Sequence, residues 1–94
     1  MAGADREKLF GLLAGAGIDR FGQDLMVMAL AGAGGQPWMF SPAPGVVELE
    51  WEFPTRRRVL IADRGRSVTV CDGPGEGRQV SWFRLSRLLA ADAA

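Results

Sequence analysis

The sequence predicts an α+β domain: two N-terminal helices, a three- to four-stranded antiparallel meander, and a C-terminal helix packed on one face of the sheet. Two patterns carry this expectation. Apolar residues recur at helical spacing near both ends of the chain, whereas Val47, Leu49, Trp51 and Phe53 alternate strictly with Glu48, Glu50 and Glu52. A period of two with that contrast is a strand with one buried and one wet face. A length of 94 residues adds the third constraint, since it leaves room for one hydrophobic core. The chain is therefore read as one domain over 1–94, with a helical part at 1–31, a Gly/Pro-rich connection at 32–45, and the meander plus closing helix at 46–94.

Asp5 opens the first helix, its charge meeting the positive helix end. Leu9, Phe10, Leu12, Leu13 and Ala16 supply the apolar stripe, and the Gly15/Gly17 pair suits a C-terminal stop. A second helix is expected from Arg20 to Ala31, capped by Asp19, with Phe21, Leu25, Met28 and Ala29 facing inward. Gly22 weakens its first turn by up to about 1 kcal/mol relative to alanine. From Gly32 to Gly45 the density of Gly and Pro predicts no regular element. Trp38, Met39 and Phe40 stand in the middle of this stretch, either anchoring it to the core or forming a contact surface.

Val46–Phe53 is the first predicted strand, Pro54-Thr55-Arg56 the turn after it, and Arg57–Asp63 and Ser67–Cys71 the next strands. Placing Arg64-Gly65 at the centre of a tight hairpin sets Ile61 against Val68 and Val59 against Val70. A three-residue first turn pairs Phe53 with Arg57, Trp51 with Val59 and Leu49 with Ile61. One face then collects Val47, Leu49, Trp51, Val59, Ile61, Val68 and Val70; the other holds Glu48, Glu50, Glu52, Arg58, Leu60, Ser67 and Thr69. Asp72–Gly77 reads as a loop, Gln79-Val80 as a short further strand, and Ser81 as the cap of a helix from Trp82 to Ala91. Trp82, Leu85, Leu88 and Leu89 face inward there, and Arg84 and Arg87 outward.

The residue inventory leans away from catalysis. The chain has no His and a single cysteine, Cys71, which removes every His-based triad or dyad and any intramolecular disulfide. Glu48, Glu50 and Glu52 lie at alternate strand positions, roughly 6.5–7 Å apart, a spacing open to a carboxylate pair or a hard metal. A solvated outer face answered by Arg58 explains them more simply. The glycine-rich stretches Gly15–Gly22 and Asp72–Gly77 match neither phosphate-loop pattern. No cofactor is expected. Leu9–Ile18 has the length of an export-signal core, but Asp5-Arg6-Glu7-Lys8 before it sums to zero charge, so a cytoplasmic location is the expectation.

Eleven basic and eleven acidic residues balance overall, yet 1–52 carries three basic against seven acidic and 53–94 eight against four. Arg56, Arg57 and Arg58 cluster at one predicted hairpin end and Arg64 and Arg66 at the opposite end, giving separated basic patches rather than one track. The expected function is a small non-catalytic protein-binding module of the inhibitor, antitoxin, anti-defence or assembly-adaptor type. Its expected partner-binding residues are Glu48, Glu50, Glu52, Arg56, Arg57, Arg58, Trp38 and Phe40. Val46–Phe53, as first strand of the meander, is expected to offer a free edge to a basic partner strand or to a second copy. The alternative is nucleic-acid binding through Arg56–Arg58 and the outward arginines of the last helix; no membrane partner is expected.

Overall fold

A computed structural model describes residues 3–32, 37–52 and 56–91. Their order is α1 (Gly3–Gly15), α2 (Arg20–Gly32), β1 (Trp38–Ala43), β2 (Val46–Trp51), β3 (Arg57–Ala62), β4 (Ser67–Asp72), β5 (Arg78–Gln79) and α3 (Trp82–Ala91). The five strands form one antiparallel sheet in chain order, so the α+β architecture holds. Met39, Val47, Leu49, Trp51, Val59, Ile61, Val68 and Val70 make its inner face, and side chains of all three helices complete the core against it.

Leu9 and Leu13 of α1 are fully buried. The helix ends in a Schellman turn: the Ile18 N–H donates to Leu13 O at 3.0 Å, the Gly17 N–H to Ala14 O at 3.0 Å, and Gly17 adopts a φ of 81°. Asp19 caps α2 by accepting from the Gly22 N–H at 2.9 Å. The buried face of α2 differs from expectation. Met26, Ala29 and Leu30 are buried, whereas Phe21 and Met28 are 71% and 70% exposed. Nearly all-round apolar character gives this helix two stripes of helical spacing. Its most extensive partner, α3, selects the one containing Gly22, where a missing side chain admits the Trp82 ring and Ile18.

The second correction is β1, a strand inside the segment read as an irregular connection. Gly and Pro are tolerated here because of where they fall. Pro44 and Gly45 occupy the centre of a tight turn, with Gly45 at a φ of 77° as a type II turn requires. Pro42 lies where the β1–β2 register shifts, on the outermost strand of the sheet. The Ser41 hydroxyl sits between the carbonyls of Ala43 and Val46, at 2.8 and 2.7 Å, and closes the bulge. β2 is thus an interior strand, flanked by β1 and β3, and the free edge expected at Val46–Phe53 does not exist.

Between β2 and β3 the observed pairs are Val47 with Ile61, Leu49 with Val59 and Trp51 with Arg57. Compared with the expected pairing this is a slip of two residues, because β2 ends at Trp51 and more residues enter the connection. A slip of two keeps every side chain on its expected face. Phe53 and the Pro54-Thr55 part of the expected turn lie outside the described residues. The β3–β4 pairing is as expected, Ile61 with Val68 and Val59 with Val70, around Arg64 and Gly65, both at positive φ (55° and 86°). Ser81 caps α3 by accepting from the Arg84 N–H at 3.1 Å. Trp82 Nε1–H donates to Gly65 O at 2.7 Å, fastening α3 to the β3–β4 turn. Among the described residues no helix is long and apolar enough to cross a membrane.

Candidate functional site

Strand parity determines what stands on the outer face, away from the helices. Two cross-strand rows run over it: Trp38–Glu50–Arg58–Cys71, and Phe40–Glu48–Leu60–Thr69–Gln79. Five of the expected partner-binding residues, Trp38, Phe40, Glu48, Glu50 and Arg58, therefore share one surface. Met39, between the two aromatics, points the other way and is 5% exposed. The apolar triplet of β1 divides between the core and the surface. Met39 anchors the strand, while Trp38 and Phe40 remain 69% and 38% exposed.

The two sides of this face differ in accessibility. On the β4 side the loop after Asp72 folds over it. A Cβ placed on Gly77 would fall 2.6 Å from Thr69 Cγ2 and 2.7 Å from Cys71 Sγ, so the backbone itself covers these side chains. Cys71 is accordingly a buried free thiol, with no exposed nucleophile to offer. The open side is β1 to β3, with aromatics on β1, acids on β2, and Arg58 and Leu60 on β3.

Glu48 and Glu50 have different neighbours. Glu50 sits between Trp38 and Arg58, while Glu48 sits between Phe40 and Leu60 with no basic residue opposite it on either strand. Both carboxylates are half-buried, and among the described residues neither makes an ion pair within 4.0 Å. Glu52 follows the last residue of β2 and is exposed beyond the rows. Among the described residues no group of three or more acidic, Cys or His side chains is arranged to hold a metal.

The arginine triplet is divided. Arg57 takes the inner-face parity at the end of β3, opposite Asp72, and its Nε donates to Asp72 Oδ1 at 2.5 Å. Arg78 reaches the other oxygen of the same carboxylate at 3.4 Å. The Arg57 hydrogen bond holds the Asp72 carboxyl below its ordinary pKa, against the opposing effect of burial, with the charges of Arg57 and Arg78 adding to it. Arg56 is exposed beside Arg58, Gly73 and Pro74, around a shallow depression at one end of the sheet. The triplet therefore contributes Arg58 to the outer face, Arg57 to a structural ion pair, and Arg56 to the rim.

What sequence reasoning missed is that β1 forms the edge and places its aromatics next to the acids. The signal was present: Pro44-Gly45 directly before an alternating strand is a turn signature, and Trp38-Met39-Phe40 before it is the partner strand. Comparison with family models, with curated proteins and with solved structures finds no match for this chain.

Proposed function

We propose that this chain is a small non-catalytic protein-binding module, cytoplasmic and of the inhibitor, antitoxin, anti-defence or assembly-adaptor type, acting through the open side of its outer sheet face. The observation that carries the reading is Trp38, 69% exposed on a strand already anchored by Met39, in a row with Glu50 and beside Phe40 and Glu48. Tryptophan is among the residues most concentrated at the energetic centres of protein interfaces. Here the fold makes little use of the ring.

The alternative, nucleic-acid binding through Arg56–Arg58 and α3, has less support. Arg57 and Arg78 are engaged by Asp72, and Arg58 stands across from Glu50. Trp38 and Phe40, as stacking platforms, lie beside carboxylates that repel a phosphate backbone; Phe83, exposed beside Arg84 and Arg87 on α3, is the feature that favours the alternative. The test is affinity capture from native lysate by the wild type and by the Trp38→Ser/Phe40→Ser double variant, with circular dichroism to verify folding. The wild type is expected to retain a protein partner that the folded double variant loses. Equal capture by both would remove this face from the interface. Captured nucleic acid that elutes steeply between about 50 and 200 mM salt would favour the alternative.

A further inference from the structure

We infer that the partner contributes an extended segment that pairs with the edge of β1 left open among the described residues, as a sixth strand, and carries Lys or Arg at alternate positions, on the Glu48/Glu50 side. This rests on the protein-binding reading and names the chemistry of its partner.

The sheet has two outer strands, and they differ in what they offer. β5 is only two residues long and runs almost directly into α3. β1 is six residues long, bounded by Pro37 before it and interrupted toward its end by the bulge and Pro42. From Trp38 to Phe40 nothing of that kind intervenes: no proline, no charged residue and no register shift. Successive residues of a strand direct their N–H and C=O groups to opposite edges, so part of this backbone faces away from β2.

The charge on the adjoining strand selects the occupant. A segment paired with β1 would set its outer-face side chains opposite Trp38 and Phe40, two strand spacings, or about 9.5 Å, from the backbone of β2. A long basic side chain can lay its aliphatic stem across the aromatic ring and direct its head toward the carboxylate behind it. Trp38 backed by Glu50 and Phe40 backed by Glu48 provide that arrangement at alternate positions. Glu48 has the greater need of it, because Phe40 and Leu60 flank it and no cation lies opposite. On the inner side the added strand would meet the rim of α1, where Asp5 and Lys8 line a depression with Pro37, Trp38 and Met39. A second copy of β1 fits less well. Trp38–Ala43 contains no basic residue, so self-pairing brings no cation from the strand to either glutamate.

The test uses three synthetic octapeptides: alternating Arg and Val, alternating Glu and Val, and the Arg/Val peptide methylated on every backbone nitrogen. Binding is followed by the Trp38 indole resonance and the backbone amides of residues 38–41 in the full chain. The Arg/Val peptide is expected to bind and shift these resonances. Glu/Val should not bind, and the methylated peptide, which keeps the charge but cannot donate to the edge, should bind at least tenfold more weakly. The Glu48→Gln/Glu50→Gln variant should weaken the Arg/Val peptide at least tenfold. Equal binding of the methylated peptide, equal binding by the Gln variant, or a dimer of the chain alone that Trp38→Ser dissolves would overturn the inference. Should the peptides fail to bind while lysate capture still depends on Trp38 and Phe40, the basic-strand inference falls and the protein-binding reading stands. If capture is also indifferent to those residues, both fall.

Discussion

Gly22→Ala sets two effects of known size against each other. By helix propensity alone, alanine in the first turns of α2 should stabilise the protein by about 1 kcal/mol. The surroundings oppose this. A Cβ at Gly22 would lie 2.7 Å from Ile18 Cγ2 and 3.6 Å from the Trp82 ring. Ile18 cannot easily withdraw. It is 4% exposed, its Cγ2 hangs directly on a β-branched centre of restricted χ1, and its Cδ1 already lies 3.0 Å from where a Cβ on Gly65 would stand. Overpacking of this kind costs about 1–3 kcal/mol, and so rigid a site belongs near the upper end. The net expectation is a loss of about 1–2 kcal/mol, or a Tm lowered by roughly 5–10 °C in a domain of this size. Gly11→Ala is the control. Gly11 lies within α1, and nothing stands within 4 Å of its would-be Cβ, so propensity acts alone and the Tm should rise by roughly 4–8 °C. Thermal melts of both variants by circular dichroism decide the matter. A Gly22→Ala protein as stable as the wild type, or more so, would refute the close packing of α2 on Trp82 and Ile18.

Two further outcomes follow from the core and from the Asp72 ion pair. Trp51→Ala empties an inner-face position that is 5% exposed and should cost about 3–5 kcal/mol, lowering the Tm by more than about 12 °C; a shift of a degree or two would contradict its placement. Asp72 has its folded-state pKa lowered, chiefly by Arg57, so its contribution is present above the ordinary carboxylate pKa of about 3.9 and is lost as pH falls through the lowered value. The Tm gap between wild type and Asp72→Asn should therefore be widest near neutrality and close below about pH 4, whereas a gap independent of pH would exclude the linkage.

The parts of the fold that could be read from the sequence are those where one local rule had a single solution. Val47, Leu49 and Trp51 alternate with glutamates and admit one face assignment, which survived a two-residue slip in pairing because the side-chain period is also two. Asp19 and Ser81 were recognisable as caps because a short polar side chain before a helix has one common use. α2 was ambiguous for the opposite reason: Phe21-Leu25-Met28 and Gly22-Met26-Ala29 both have helical spacing, and only tertiary contact with Trp82 distinguishes them. β1 was lost because proline density is a rule about strand interiors, and Pro42 belongs to an edge. The same omission moved the expected free edge one strand inward. The acidic and aromatic members of the candidate face were nevertheless named individually; their adjacency depended on a pairing the sequence reading did not include.

That adjacency changes what the glutamates mean. Read on an edge strand, Glu48 and Glu50 would be safeguards, charges that keep the edge from pairing with other chains. On an interior strand there is no free edge to protect, and they become a second row behind the aromatics of β1. Glu48 then stands half-buried between Phe40 and Leu60 with no cation opposite it. The aromatics present the complementary imbalance. A tryptophan side chain buries up to about 250 Å² when enclosed, so Trp38, at 69% exposure, leaves on the order of 4 kcal/mol of apolar transfer free energy unrealised in the isolated chain. A polar residue at position 38 would keep Met39 anchored and the strand paired with β2, so folding alone does not call for the ring. Cationic side chains carried on long apolar stems would relieve both imbalances together, whereas an apolar partner would cover Trp38 and leave Glu48 further desolvated without a counter-charge.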